Sequence, residues 1–284
     1  MHVFGITGEV FISMFTGKKV AVIGGGKMGS ILAQGIIERK ILSSKDITVT
    51  DIDPARLDYL RATLKLQIST NNKQAVKEAD IVILAVKPQN FSETLKEIRP
   101  VASTAKLFIS IAAGVTTDFI EKALTKHPRV LRVMPNVNAV AREGAAAVAR
   151  GHFAQKDDVQ YALAILNAVG LAVEVDEKLM DAVTGLSGSG PAYCFLMIEA
   201  LTDAGVQLGI PRELAEKLAV QTMLGSAKLC LTGHQHPAQL KNMVTSPGGT
   251  TAAGLKVLEE GKIRATLMAA VEAAAKRAKE LASA

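Results

Sequence analysis

The chain has no tryptophan, aromatic residues make up only 4% of it, and just two of its 284 residues are cysteine. With so few rings, aliphatic side chains must fill the core, and no series of aromatic platforms exists on which nucleic-acid bases could stack. Cys194 and Cys230 form no CxxC pair. That spacing argues against a disulfide framework and predicts buried, reduced thiols in a cytoplasmic protein. No apolar run reaches the ~18 uninterrupted residues of a membrane span. The most apolar stretch, Pro191 to Leu208, is broken by Glu199 and Asp203. The net charge of +6 is scattered, with no block of Lys and Arg. It predicts a mild pull on small anions and no nucleic-acid partner. His2 to Phe15 are apolar but lack the basic leader and small-residue cleavage site of a signal peptide. Met14 is therefore read as a natural start, or residues 1–13 as a loose appendage. No metal is expected: His2, His127 and His152 are isolated, and the H-x-H of His234 and His236 has no third ligand.

What is present is a regular alternation. Val- and Ile-rich runs at Lys19–Ile23, Ile47–Thr50, Ile81–Ala85, Leu107–Ser110 and Val130–Val133 read as strands buried on both faces. Amphipathic stretches such as Pro54–Leu64 and Thr116–Thr125 separate them, and shorter strands around Ala146–Ala149 and Ala172–Glu174 flank a helix near Asp157–Val169. Such alternation specifies a mostly parallel α/β sheet with helices on both faces. After Glu177 no strand-like run follows. Helices are expected over Pro191–Leu208, Pro211–Leu231, Pro237–Val244, Thr251–Glu260 and Lys262–Ala282. The expected division is thus an α/β domain over 1–177, with 1–17 as an extension, and an all-α domain over 178–284. The helical half is apolar around much of its circumference, so it is expected to bury the surplus against a second copy of itself.

Gly24-Gly25-Gly26-Lys27-Met28-Gly29 reads G-x-G-x-x-G directly after the first strand and opens a helix running to about Arg39. In that strand–turn–helix frame it is the fingerprint of a Rossmann-type dinucleotide-binding domain. Gly24 makes the tight turn, Gly26 lets a pyrophosphate approach the backbone, and Gly29 lets helix pack on strand. The amides of Lys27 and Met28 open the helix toward the phosphates. Asp51 ends the second strand, where an acid holds the adenine-ribose hydroxyls and repels a 2′-phosphate, so NADH is slightly favoured over NADPH. Asp53 reads as a helix cap before Pro54, and Arg56 is close enough to reach a 2′-phosphate. Ala85-Val86-Lys87-Pro88 and Ala112-Ala113-Gly114 follow strand ends, where small residues leave room for a nicotinamide ribose. Lys87 reads equally well as a solvated charge.

Two further glycine-rich segments, Leu186–Pro191 and Thr245–Thr251, each lead into a helix and offer amides and hydroxyls to an anion. Capping alone needs one Ser or Thr, so a binding role is favoured for the second. Here the sequence closely resembles a known family. The run PAQLKNMVTSPGGTTAAGLKVLE from Pro237 to Glu259 is similar to the signature of the pyrroline-5-carboxylate reductases, as are GLSGSGPAY, SIAAGVT, LAVKP and REG at Gly185, Ser110, Leu84 and Arg142. The resemblance covers the chain from Lys18 onward.

It implies an NAD(P)H-dependent imine reductase that makes L-proline, the last step of proline biosynthesis, with a dimerising helical domain and dimers that assemble into rings. It implies that Ser246, Gly248, Gly249 and Thr250 hold the substrate carboxylate, with Thr251 near the ring nitrogen as the catalytic contact. It also implies cofactor contacts at Asn72, around Val86 and Ala112, and at Asn136. The chain departs from the family at Asp51, where NADPH users carry Ser, Thr, Asn or Arg. It departs again at Val137 and Asn138, where Thr-Pro is common. A β-hydroxyacid dehydrogenase, the nearest enzyme alternative, needs a Lys and an Asn where this chain has Cys194 and Met197. A non-catalytic nucleotide sensor has no use for the Ser246–Thr251 loop.

Overall fold

The computed structural model describes residues 13–233 and 235–282. The expectations placed on residues 1–12, and on His234, lie outside the described residues. The packed structure already includes Phe15, which is fully buried and meets Tyr161 edge-on at 5.1 Å, while the Tyr161 hydroxyl donates to the Met14 carbonyl.

The strands are β1 (Val20–Ile23), β2 (Ile47–Thr50), β3 (Gln67–Ser69), β4 (Ile81–Leu84), β5 (Leu107–Ser110), β6 (Arg129–Met134), β7 (Gly144–Arg150) and β8 (Gly170–Glu174). They form one sheet in the order β3-β2-β1-β4-β5-β6-β7-β8, parallel throughout except where β7 runs antiparallel to β6. The helices of this region are α1 (Lys27–Glu38), α2 (Pro54–Leu64), α3 (Asn72–Glu78), α4 (Phe91–Ile98), α5 (Thr117–Ala123) and α6 (Lys156–Asn167).

Strand alternation dictates the two cores. Val20, Val22, Ile81, Ile83, Leu107, Ile109, Leu131 and Val133 face one layer with Leu32 and Ile36 of α1 and Val159 and Ile165 of α6. Their neighbours Ala21, Ile23, Val82, Leu84, Phe108 and Val130 face the other, with Val76, Phe91, Leu95 and Ile120. A strand buried on both faces has no polar side, which is why these runs are continuously aliphatic. Because β4 returns to lie beside β1, the order reverses between them, and the crevice beyond their carboxyl ends is where such sheets take ligands. β3 was not expected. It is three residues long at the sheet edge, its side chains are exposed or half-buried, and it carries no apolar run.

Beyond β8 the chain is helical: α7 (Met180–Val183), a π-helical turn at Thr184–Gly188, α8 (Gly190–Gln207), α9 (Arg212–Gly233), α10 (Pro237–Met243), α11 (Thr250–Glu260) and α12 (Ile263–Ala282). The chain divides into two compact units. One takes the sequence up to Gly188 together with the segment from Ala274; the other is Ser189–Ala273. Glu177 belongs to the first unit by its bonds. Its carboxylate accepts from the Thr117 amide at 2.8 Å and hydroxyl at 2.5 Å, and pairs with buried Arg132 at 3.5 Å.

Two expectations are corrected. The segment Leu186–Pro191, read as a loop, is helical, with the π turn running almost directly into α8. The Thr184 and Ser187 hydroxyls donate back to the carbonyls four residues earlier, and Gly188 lies so close to the Met134 methyl that a Cβ would collide with it. The cysteines are not buried: Cys194 and Cys230 are both exposed. In the second unit only Pro191, Thr202, Ala215 and Ala219 are buried within α8 and α9. A single chain therefore leaves most of those two helices uncovered, the cysteines among them.

Candidate active site

The glycine turn is built by close approach. Gly24 has φ +106°, and a Cβ there would strike the Ala85 carbonyl across the switch point. A Cβ on Gly29 would strike the Gly24 carbonyl, so α1 leans directly on the turn. Gly26 is different: it has φ −61°, stands exposed, and a Cβ would meet nothing within 4 Å. It is also the N-cap of α1, and no side chain caps that terminus. The space over Gly26, backed by the helix amides after Lys27 and Met28, suits an anionic group.

Asp51 lies at the carboxyl end of β2, half-buried beside this turn. Its carboxylate accepts from the Gly25 amide at 2.8 Å and the Asp53 amide at 3.0 Å. Asp53 caps α2 through the Ala55 amide, as its place before Pro54 predicts. Arg56, read from the sequence as within reach of a 2′-phosphate, instead donates to the Gly25 carbonyl and to Ser30 Oγ, each at 2.7 Å. Asn72 opens α3. Its Oδ1 accepts from buried Thr50 at 2.6 Å, and its Nδ2 donates to Glu97 at 2.8 Å, which fixes the amide's orientation. Neither Glu97 nor the new role of Arg56 was visible in the sequence, because each depends on a partner from another element.

Ala85 and Ala112 sit just past β4 and β5, in line with Gly24 by the strand register. Val86 is half-buried, Lys87 and Pro88 are exposed, and Gly114 turns at φ +76° after exposed Ala113. These residues and the glycine turn therefore line one end of the sheet. Asn136 is buried and already engaged: its Oδ1 accepts from the Ala145 amide at 3.1 Å and its Nδ2 donates to the Ser187 carbonyl at 3.0 Å. It ties β7 to the π turn. Arg142 of the REG segment turns toward Glu38 at the far end of α1, with Nε at 3.0 Å.

In the second unit, the loop before α11 is described by itself. Ser246, Pro247 and Gly248 are exposed, and Gly249 and Thr251 half-buried. Gly248 takes φ +68°, and a Cβ on Gly249 would displace the Ser246 hydroxyl. Gly249 is the N-cap of α11, and here too no side chain caps the helix. Thr250 and Thr251 are its first two residues.

Among the histidines, His152 is not isolated: it lies 2.9 Å from buried Glu121, whose hydrogen bond and charge raise its pKa above the usual imidazole value. His127 packs edge-on to Phe153 at 4.6 Å. Among the described residues there is no cluster of three metal-ligating side chains, and no helix long and apolar enough to cross a membrane.

A family profile described as pyrroline-5-carboxylate reductase dimerisation matches residues 177–281. A second, described as NADP oxidoreductase, coenzyme F420-dependent, matches residues 19–114. The pyrroline-5-carboxylate reductase of Methanosarcina acetivorans is 49% identical over 93% of this chain and 98% of its own length. That of Arabidopsis thaliana is 44% identical over 93% and 95%. The solved reductase of Coxiella burnetii superposes with a TM-score of 0.89 at 41% identity, over 93% of this chain and 98% of that one. The Plasmodium falciparum enzyme, solved with NADP bound, gives 0.84 at 34% identity, over 94% and 98%.

Proposed function

The chain belongs to the pyrroline-5-carboxylate reductase family, whose members are NAD(P)-dependent oxidoreductases, and on that premise we propose how its own residues do the work. It transfers hydride from a nicotinamide dinucleotide to the carbon of the cyclic imine pyrroline-5-carboxylate, giving L-proline. The dinucleotide's diphosphate lies over Gly26 at the N-terminus of α1, with Gly24, Lys27, Met28 and Gly29 around it. Asp51 takes the adenine-ribose hydroxyls, Asn72 donates its remaining N–H, and Ala85–Pro88 with Ala112–Gly114 and the Asn136 segment bound the nicotinamide end. Asp51 favours NADH, since its carboxylate would repel a 2′-phosphate.

The observation that carries this assignment is a shared feature of two glycine-rich turns. The helices behind Gly24–Gly29 and Ser246–Gly249 both start without a side-chain cap. Free N–H groups at a helix start favour an anion. One is assigned to the diphosphate, the other to the substrate carboxylate held by Ser246, Gly248, Gly249 and Thr250. A protonated imine is already electrophilic, so orientation and charge supply much of the rate and no dedicated acid is required. Thr251 orients the ring nitrogen. The helical half, from residue 178, pairs with a second copy, and its large apolar side chains, Phe195, Leu196 and Leu218 among them, supply the contact. Two free cysteines suit a reducing compartment, here the cytoplasm.

Product analysis tests the assignment. Pyrroline-5-carboxylate and NADH should give L-proline in step with NAD⁺, and Ser246→Ala should raise the imine KM more than it lowers kcat. Full activity in a Gly249→Val variant would remove the loop from the site.

A further inference from the structure

We propose that Arg56 is a positioning residue that shapes the dinucleotide turn for NADH and NADPH alike, and not a receptor for a 2′-phosphate. The inference rests on the assignment of that turn to the cofactor. Gly25 is held on both sides by the segment after β2, through the peptide that precedes it and the peptide that follows it. Its N–H donates to Asp51 Oδ2 at 2.8 Å, and its carbonyl accepts from Arg56 Nε at 2.7 Å. Arg56 also donates through Nη2 to Ser30 Oγ at 2.7 Å. The Ser30 hydroxyl in turn lies 2.9 Å from the Gly26 carbonyl and 3.0 Å from that of Lys27. The guanidinium is thereby joined to every residue from Gly25 to Lys27, and the Tyr59 ring sits 5.1 Å from its Cζ. Gly25 is buried and has little room for a side chain, since a Cβ would press on Leu60 at 3.0 Å and Val49 at 3.2 Å.

These contacts have two consequences. The turn keeps the one shape in which Gly26 faces open space, because turning the peptide before Gly25 loses the bond to Asp51 and turning the peptide after it loses the bond to Arg56. A fixed positive charge also stands beside the place where a diphosphate would bring negative charge. The diphosphate is common to both cofactors. A 2′-phosphate receptor would instead present its planar fork of donors outward. Here two arms of that fork are committed to the protein's own backbone and to Ser30, in the same loop as the Asp51 carboxylate.

Arg56→Met in the full-length, associated protein separates these roles. NADH and NADPH binding can be followed by their own fluorescence, with no tryptophan to interfere. Loss of the two bonds should weaken both cofactors by roughly tenfold, with factors agreeing within about threefold. The loss should fall on cofactor KM and leave kcat within about twofold, whereas simple unfolding of part of the sample would lower kcat and spare KM. Arg56→Lys, which keeps the charge and one donor, should recover part of the loss for both. A loss for NADPH exceeding that for NADH by more than threefold, or no loss for either, overturns the proposal. Gly26→Ala serves as the separate check on the underlying assignment. It adds a methyl group where the fold has room and the diphosphate does not. Unchanged NADH affinity in that variant would show the turn is not the cofactor's, whatever Arg56→Met does.

Discussion

Gly24, Gly26 and Gly29 share a motif but not a reason for being glycine. Gly24 and Gly29 answer to the fold, since a methyl group on either would strike a backbone carbonyl. Gly29→Ala should therefore destabilise the protein by about 1–3 kcal/mol, read as a lower thermal midpoint, because overpacked sites cost that much. Gly26 has open space beside it, which the proposed assignment gives to the diphosphate, so Gly26→Ala should leave the thermal midpoint of the cofactor-free protein unchanged. Under the proposed assignment, Asp51 decides between cofactors at the same scale. NADH should be used better than NADPH, and Asp51→Ser should narrow the gap in kcat/KM; a wild-type preference for NADPH contradicts this role. At Thr251 the expected loss follows from one hydrogen bond to a charged nitrogen, about 1.5–3 kcal/mol. Thr251→Ala should then lower kcat/KM by roughly ten- to a hundredfold while NADH affinity holds. An unchanged kcat/KM would reduce the hydroxyl to a helix-terminal ornament.

Among the elements, α5 is held from two sides. Glu177 receives the Thr117 amide and hydroxyl at its start, and Glu121 receives the His152 amide at 2.7 Å and faces the ring at 2.9 Å. Glu121 is buried and His152 exposed, so the pair joins a fixed carboxylate to a ring that titrates. The Glu121 hydrogen bond and charge raise the His152 pKa, against a smaller opposing effect of burial. A raised folded-state value stabilises the protein fully below the unfolded pKa of about 6.5, and the gain fades as pH rises through the folded value. The difference in thermal midpoint between wild type and His152→Ala should accordingly be larger near about pH 6 than near about pH 9. A difference that grew with pH would mean the ring acts without its charge. The elements also show how far a sequence can be read. β1, β4, β5 and β6 were legible because a strand buried on both faces must be continuously aliphatic, and α2 because Asp53-Pro54 announces its start. The π turn was not legible. Ser-Gly-Ser-Gly-Pro has the composition of a loop, and what accommodates it as a helix is Met134 and Asn136, far back in the chain. The bonds of Arg56 were hidden for the same reason: its partners Gly25 and Ser30 lie 31 and 26 residues away. The glycine turn and the Ser246–Thr251 loop were legible as turns that lead into helices, as α1 and α11 show.

On the scale of the molecule, the second unit cannot hide its own surface. Phe195, Leu196, Leu218, Leu229, Val257 and Met268 are all largely exposed, and α10 and α11 bury no residue. Apolar area of this extent marks an interaction surface. Sedimentation at micromolar concentration should report at least twice the 30.0 kDa chain mass, and a well-behaved monomer would contradict the pairing. The associated protein is also the form in which the central claim is to be tested. Initial rates of NADH and NADPH oxidation, measured side by side while pyrroline-5-carboxylate is varied, test it most directly. The account predicts imine-dependent oxidation of both, saturable in the imine, with the higher kcat/KM for NADH. Folded, associated protein that oxidises neither cofactor when the imine is added would contradict it.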